Sequence, residues 1–289
     1  MDNKIFDQPT YKRQRFLLDF IGQLKDAVTS TDLQKLVFLC SMEQKLKFYN
    51  FIPYKYGPYS FQLAEDIDVL VRDGYLNFEG SRVRAVKKGS FSETYLIDPE
   101  RGTNLVRKAY RKYPYYAINS QIAHRLFSEK ELERFKQERK RLTKHNQVLY
   151  TIGYEGKSIE EFVNILIQND IMLLCDIRRN PISRKFGFSK GRLKHIVETC
   201  GIKYEHIPDL GIASEKRKNL DTVDDYQDLF EEYAKRLPNH ELNVAEVVRL
   251  LNSNERIALM CYEKEPEMCH RHVLSDYISE VYMIGSVNL

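Results

Sequence analysis

The sequence predicts an α/β protein with a mainly helical, winged-helix-like N-terminal half and a C-terminal half built on a parallel β-sheet. In the first half, apolar residues recur at helical spacing and a basic hairpin follows them. From residue 148 onward, apolar strands alternate with amphipathic helices, which is typical of parallel strands joined by right-handed crossovers. A polar, helix-forming segment at 129–147 separates the halves, so we expect domains at 1–128 and 148–289.

The N-terminal half is predicted to contain three helices and a wing. The first covers residues 13–28, the second starts after Ser30 or Thr31, and the third is capped by Ser60. The segment FIPYKYGPYS, between the second and third helices, is predicted to be an aromatic loop. YLNF and RVRAVKK flank an EGS turn and are expected to form the wing. Its expected phosphate contacts are Arg82, Arg84, Lys87 and Lys88.

Within residues 15–78, the run KLVFLC…YKYGPYS…L…GYL resembles the SocA/Panacea antitoxin-like domains. The third helix is acidic, which argues against base reading by that helix. An alternative is therefore a helical interaction domain that uses Tyr54, Tyr56 and Tyr59 as protein contacts.

The charge is distributed unevenly along the chain. The net charge is +4, but residues 1–150 carry 27 basic and 18 acidic side chains, whereas residues 151–289 carry 18 and 23. Residues 101–128 contain basic residues and no acid, with tyrosines interleaved, a composition that suits a phosphate backbone and unstacked bases. An ordinary solvated surface is the alternative. The basic residues are Arg101, Arg107, Lys108, Arg111, Lys112 and Arg125.

In the C-terminal half, polar residues follow the predicted strands. Ligands of open α/β sheets bind beyond the carboxyl ends of the strands, so we expect these residues to share one site. The candidate catalytic residues are Tyr154, Glu155, Asp176, Arg178, His206, Cys261, Glu263, His270 and Arg271.

The motifs TIGYEGKSIEEF, CDIRRNPISRKFGFSKGRL, GIKYEHIPDLG and ALMCYEKEPEMCHRHVL occur in this order over residues 148–275. Together they resemble the domain of unknown function 488 family. The resemblance implies a compact Rossmann-like α/β domain and supplies no settled reaction.

Several chemistries fit these residues. Glu155, Asp176 and Glu263 can bind Mg²⁺ or act as general acid and base. Arg178 and Arg271 can hold a phosphate. Alternatively, Asp176 and Arg178 form an ion pair.

A second chemistry is centred on Cys261, which can be a nucleophile with His206 or His270 as its base. Inert packing is the alternative for a buried strand cysteine. Zinc binding by Cys261, Cys269 and His270 is disfavoured by the ligand spacing.

The segment 178–194 contains seven basic residues and no acid, and is expected to act as a lid over a phosphate or a nucleic-acid strand. An ordinary basic loop is the alternative. Its expected nucleic-acid contacts are Arg179, Arg184, Lys185, Lys190 and Arg192.

Other features of the sequence argue against whole classes of protein. The sequence has no Walker P-loop and no G-x-G-x-x-G, so NTP hydrolysis and NAD chemistry of the familiar kinds are disfavoured. Five cysteines without short paired spacing indicate a reducing cytoplasm. No apolar run is long enough for a membrane span, and no secretory signal is present.

The first hypothesis is a nucleic-acid-processing hydrolase or transferase, in a setting such as bacterial defence or nucleic-acid modification, that binds DNA in preference to RNA. The second is a winged-helix transcriptional regulator with a non-catalytic nucleotide sensor. The third is a partner-binding protein. A homodimer is compatible with all three.

Overall fold

The computed structural model describes residues 8–86, 93–217, 220 and 222–289. The chain divides into two compact units, Met1–Arg141 and Leu142–Leu289. Lys87 and Lys88, predicted as wing contacts, lie outside the described residues. Within those ranges, no helix combines the length and the apolar character that crossing a membrane requires.

The first unit is helical with short antiparallel strands. Its described helices are α1 (Lys12–Gly22), α2 (Ser30–Gln44), α3 (Phe61–Arg72), α4 (Gly102–Lys112), α5 (Ala123–Leu126) and α6 (Glu129–Leu142). Its described strands are β1 (Val28–Thr29), β2 (Ile52–Tyr54), β3 (Gly57–Tyr59), β4 (Leu76–Glu79) and β5 (Arg82–Ala85). Strands β1, β5 and β4 form one sheet in that order, and β2 pairs with β3.

The predicted β4–β5 hairpin is present, with Glu79 opposite Arg82 beside its turn. The Ser60 hydroxyl accepts the Leu63 N–H at 3.2 Å and so caps α3 as predicted. The start of α2 was predicted one or two residues late, because Thr29 is the residue whose side chain accepts the Asp32 N–H. The predicted aromatic loop is a tight β2–β3 hairpin, in which Gly57 adopts a φ of +95°.

One hydrophobic core holds the first unit together. Leu17, Leu36 and Leu63 from three helices are fully buried in it. The polar helix α6 also contributes to this core, since Phe135 is buried and its ring lies edge-on to Phe127. Residues at the start of the predicted 129–147 connector therefore pack with the first unit.

The second unit is an α/β layer structure, as predicted. Its described strands are β6 (Val148–Gly153), β7 (Leu173–Asp176), β8 (Lys203–His206), β9 (Arg256–Cys261) and β10 (Ser286–Asn288). Its described helices are α7 (Ile159–Gln168), α8 (Lys190–Thr199), α9 (Val223–Arg236), α10 (Glu241–Asn254) and α11 (His270–Tyr282). Across the described ranges the strands form one five-stranded parallel sheet in the order β10-β6-β9-β7-β8.

Both faces of this sheet are covered. Odd-numbered strand residues such as Leu173 and Ile257 join a buried cluster with α9, α10 and α11. Even-numbered residues such as Leu174 and Ala258 are also fully buried and face the opposite side. Strands covered on both faces read as continuous apolar runs, which is why β7 and β9 could be predicted from the sequence.

Candidate functional site

The carboxyl ends of four adjacent strands lie along one edge of the second unit's sheet. Gly153 at the end of β6 pairs with Cys261 at the end of β9. Asp176 at the end of β7 pairs with His206 at the end of β8 and with Met260 in β9. The predicted convergence of these strand ends follows from parallel pairing of neighbouring strands.

Asp176 is completely buried and forms a two-pronged ion pair with Arg178. The Arg178 Nε donates to Oδ1 at 2.8 Å and Nη2 donates to Oδ2 at 2.6 Å. The Tyr204 hydroxyl donates to the same Oδ2 at 2.6 Å. This carboxylate is therefore engaged in orienting Arg178 and Tyr204, as the ion-pair alternative expects.

Arg178 in turn forms hydrogen bonds to Tyr154 and to the segment that contains Phe188. Its Nη1 donates to the Tyr154 hydroxyl at 3.1 Å and to the Phe188 carbonyl oxygen at 2.9 Å. The rings of Tyr154 and Phe188 stack at 4.3 Å between centroids. Arg178 thus fixes the shape of the pocket wall, and its donors are largely used by the protein itself.

His206 lies on this side of the site and is engaged away from Cys261. Its Nε2 is 2.9 Å from the Arg178 carbonyl oxygen, and its Nδ1 is 2.9 Å from Lys190 Nζ. Both ring nitrogens therefore have partners other than Cys261.

Cys261 lies at the centre of a second, buried cluster. Its Sγ is 3.6 Å from His270 Nδ1 and 3.3 Å from Glu263 Oε2. Cys269 Sγ is 4.0 Å from the same His270 nitrogen. Cys261, Cys269 and His270 are each almost completely buried. The chain therefore brings together the cysteines and the histidine that the sequence placed at the end of β9 and the start of α11.

Arg217 completes this cluster. Its Nη1 lies 2.5 Å from Glu263 Oε1, and its Nη2 lies 2.7 Å from His270 Nδ1 and 4.0 Å from Cys261 Sγ. Arg217 was not among the predicted site residues, and nothing in its surrounding sequence distinguishes it from other basic residues.

The electrostatics of the cluster favour a thiolate at Cys261. Burial alone raises the pKa of this thiol, but a hydrogen bond from Cys269 and the charges of His270 and Arg217 outweigh it and lower the pKa well below its ordinary value. Burial and the neighbouring Cys261 raise the pKa of Cys269, so Cys269 stays a neutral donor. Burial also raises the pKa of Glu263. The cluster therefore holds one ionised sulfur beside a carboxyl group whose pKa is raised.

Two residues expected to be catalytic instead support the loop after β9. Arg271 is 1% exposed and donates to the carbonyl oxygens of Glu263 and Lys264 at 2.5 and 2.9 Å. Glu155 accepts the Lys264 N–H at 2.9 Å. The expected phosphate-binding role of Arg271 is not supported, because its Nη1 and Nη2 donate to this backbone inside the protein.

A pocket of about 320 Å³ opens at this sheet edge. Cys261 and His270 line it together with four arginines, so a thiolate and a concentration of positive charge share one cavity. The arginines are Arg178, Arg179, Arg184 and Arg217. Arg179 also pairs with Asp209 at 2.5 Å, whereas Arg184 has no ion-pair partner among the described residues.

The ligand atoms of Cys261, Cys269 and His270 lie within 4.8 Å of one another, which is close enough for one metal ion. The predicted Mg²⁺ ligands are each engaged separately: Glu155 with the Lys264 backbone, Asp176 with Arg178, and Glu263 with Arg217. Within the part of the chain that the structure describes, these three carboxylates do not form a metal-binding group.

The predicted nucleic-acid residues of the first unit form internal ion pairs or hydrogen bonds. Lys108 pairs with Asp98, and Arg111 pairs with Glu131. The interleaved Tyr110 is fully buried. The remaining pairings are Lys112 with Glu43, Arg84 with Glu79, Arg107 Nε with the Leu126 carbonyl oxygen, and Arg82 with the Ala27 carbonyl oxygen.

Much of the predicted lid folds back onto the protein. Lys185 donates to the Tyr154 carbonyl oxygen at 3.1 Å, and Lys190 contacts His206. The Arg192 guanidinium lies 4.7 Å from the centre of the Phe186 ring. Of the predicted lid residues, Arg178, Arg179 and Arg184 are the basic ones that line the pocket.

Fold and site together define a doubly covered parallel α/β domain with a buried cysteine–histidine cluster at the carboxyl edge of its sheet. Residues 158–278 match the family described as Domain of unknown function DUF488. This match lies within the second unit and confirms the resemblance that the sequence motifs indicated. Neither the curated proteins nor the solved structures include a significant match to this chain.

Proposed function

We propose that the second unit is a hydrolase or transferase that acts on a phosphate-bearing nucleotide or phosphodiester, with the Cys261 thiolate as its nucleophile. One observation carries this proposal: Cys261 lines the same pocket as Arg178, Arg179, Arg184 and Arg217. Clustered guanidinium groups bind phosphate oxygens and stabilise the charge of a phosphoryl-transfer transition state.

In the proposed reaction, Arg184 binds the phosphate at the mouth of the pocket, and Arg179 and Arg217 join it by exchanging Asp209 and Glu263 for the phosphate. The thiolate attacks phosphorus and forms a covalent intermediate, and no separate base is needed because the sulfur is already ionised. Glu263 supplies the proton to the leaving oxygen, a role supported by its raised pKa, which burial causes, and by its 3.3 Å contact with Cys261. Water then releases the product from the sulfur.

The test is turnover by the full chain on labelled single-stranded DNA, duplex DNA, RNA and mononucleotides, with and without Mg²⁺. We expect product from at least one substrate, and Cys261→Ala should lower the rate on the order of a thousandfold or more. Cys200→Ala is the matched control, because Cys200 is a half-exposed cysteine of the same unit. Wild-type turnover by Cys261→Ala would overturn the proposal.

A chelator separates this reaction from metal catalysis. If a metal held by Cys261, Cys269 and His270 carried the activity, removing the metal would abolish turnover. We expect turnover to survive a chelator, since the thiolate nucleophile requires no ion.

Nucleic-acid binding by the first unit, with DNA preferred over RNA, is the second part of the proposal. It is supported by the order α1, β1, α2, α3 and the β4–β5 hairpin, which resembles that of a winged helix apart from the β2–β3 hairpin inserted between α2 and α3. The same order of elements also fits the alternative, a transcriptional regulator whose second unit binds a nucleotide and catalyses no reaction. Binding without turnover, modulated by a nucleotide, would distinguish the regulator from the enzyme.

A further inference from the structure

The first unit contains a pocket that the proposed function does not use. It has a volume of about 310 Å³ and lies between the start of α2, the β2–β3 hairpin, α3 and β4. Tyr54, Tyr56, Tyr59 and Phe78 line it, and the rings of Tyr54 and Tyr59 lie 4.9 Å apart between centroids. Pockets of this size and composition suit a small planar molecule of one or two rings.

Lys35 lines this pocket although it is only 2% exposed. Among the described residues, no group accepts a hydrogen bond from Lys35. The neighbouring polar side chains are used elsewhere. The Gln34 amide exchanges two hydrogen bonds with the Ser60 backbone, and Asp32 Oδ1 accepts the Gly102 N–H. Lys35 Nζ is not one of the fully enclosed side-chain atoms that lack a partner, so the amine can be reached from the pocket that Lys35 lines.

The surroundings of Lys35 favour its neutral amine. Burial lowers its pKa from the ordinary 10.5 to about 7, and the charge of Asp32 offsets this only in part. At pH 7, the neutral fraction of such an amine exceeds that of an ordinary lysine by on the order of a thousandfold. A neutral amine in an apolar site is nucleophilic toward carbonyl carbon.

We propose that this pocket binds a small planar aromatic aldehyde or ketone and that Lys35 forms an imine with it. The inference stands apart from the chemistry proposed at Cys261, since it rests on residues of the first unit alone.

In the covalent step, the lone pair of Lys35 Nζ attacks the carbonyl carbon and forms a C–N bond. The carbonyl oxygen leaves as water and takes both amine hydrogens. The resulting imine is neutral and needs no oxidant or reductant.

The experiment traps this imine in the full chain. The protein is incubated with benzaldehyde at pH 7 and reduced with borohydride, and the label is located by peptide mass spectrometry. We expect one adduct per chain at Lys35, in at least tenfold excess over exposed lysines such as Lys25. A label spread over exposed lysines would overturn the inference.

Two variants keep this test independent of folding. Lys35→Met preserves the length and apolar contacts of the side chain and should remove the adduct. Tyr56→Ala changes a half-exposed pocket residue and should raise the aldehyde concentration required for half-maximal labelling several-fold. Tyr11→Ala changes an exposed tyrosine outside the pocket and should leave that concentration unchanged. Equal labelling of wild type and Lys35→Met would contradict the role of Lys35.

Discussion

At the residue scale, the chemistry of the second unit depends on the ionisation of Cys261. An ordinary thiol has a pKa of about 8.5 and ionises mainly above neutral pH. At Cys261 the pKa is lowered despite burial, since a Cys269 hydrogen bond and the His270 and Arg217 charges stabilise the thiolate. The sulfur therefore stays ionised as the pH falls through the range in which ordinary thiols become protonated.

Cys269→Ala removes one source of this stabilisation. We expect the thiolate titration, followed by its ultraviolet absorbance, to move to higher pH in this variant, and the acid limb of any activity profile to move with it. Cys200→Ala serves as the control and should leave the titration unchanged. A wild-type Cys261 that titrates at the ordinary thiol value would contradict the assignment.

The buried pair of Asp176 and Arg178 makes a separate prediction about stability. Asp176→Asn leaves the Arg178 charge buried without its partner, which typically costs about 3–5 kcal/mol. Urea denaturation should show a loss of this size in the free energy of unfolding. Glu246→Gln breaks an exposed pair with Arg249 and should have little measurable effect. Equal stability of the two variants would mean that Asp176 does not hold Arg178 in place.

At the element scale, the close approach of β6 to the loop after β9 shapes the site. A Cβ on Gly153 would lie only 1.8 Å from the Glu263 carbonyl oxygen. We expect Gly153→Ala to displace this loop, to cost about 1–3 kcal/mol of stability and to lower turnover. Gly191→Ala is the control, because a Cβ there meets no atom within 4 Å. Gly191 lies in α8, where alanine stabilises a helix by up to about 1 kcal/mol relative to glycine.

The elements differed in how well the sequence predicted them. Helix α7 begins with a complete capping box of Ser158 and Glu161, and such a box is a local signal that can be recognised in the sequence. The two-residue strand β1 and the edge strand β10 were not predicted, because short strands depend on their partners and not on local pattern. The end of the first helix was placed too far along the chain, since α1 stops at Gly22.

The site was predicted in outline and not in its pairings. Parallel topology brings strand ends together, so Cys261, Asp176 and His206 could be grouped from the sequence. Which side chain neutralises which depends on tertiary contacts. For that reason the ion pair of Asp176 and Arg178 was only one of the alternatives, and the contribution of Arg217, 44 residues before Cys261, was not predicted.

At the scale of the whole molecule, the two units carry opposite net charge. If the first unit binds duplex DNA, the logarithm of the affinity should fall linearly with the logarithm of the salt concentration. The slope should be about −0.9 for each phosphate contacted. Arg111→Ala should flatten that slope by about one unit, although Arg111 must first exchange Glu131 for a phosphate. Lys235→Ala, an exposed change in the second unit, is the control. An unchanged slope in Arg111→Ala would exclude Arg111 from the interface.

The most direct test of Cys261 as nucleophile is mass spectrometry of the full chain after rapid acid quench during turnover of a phosphate-bearing substrate. We expect a substrate-derived adduct on the peptide that contains Cys261, and no such adduct on the peptide that contains Cys200. Turnover that proceeds with Cys261 unmodified, and at the same rate in Cys261→Ala, would contradict the proposed mechanism.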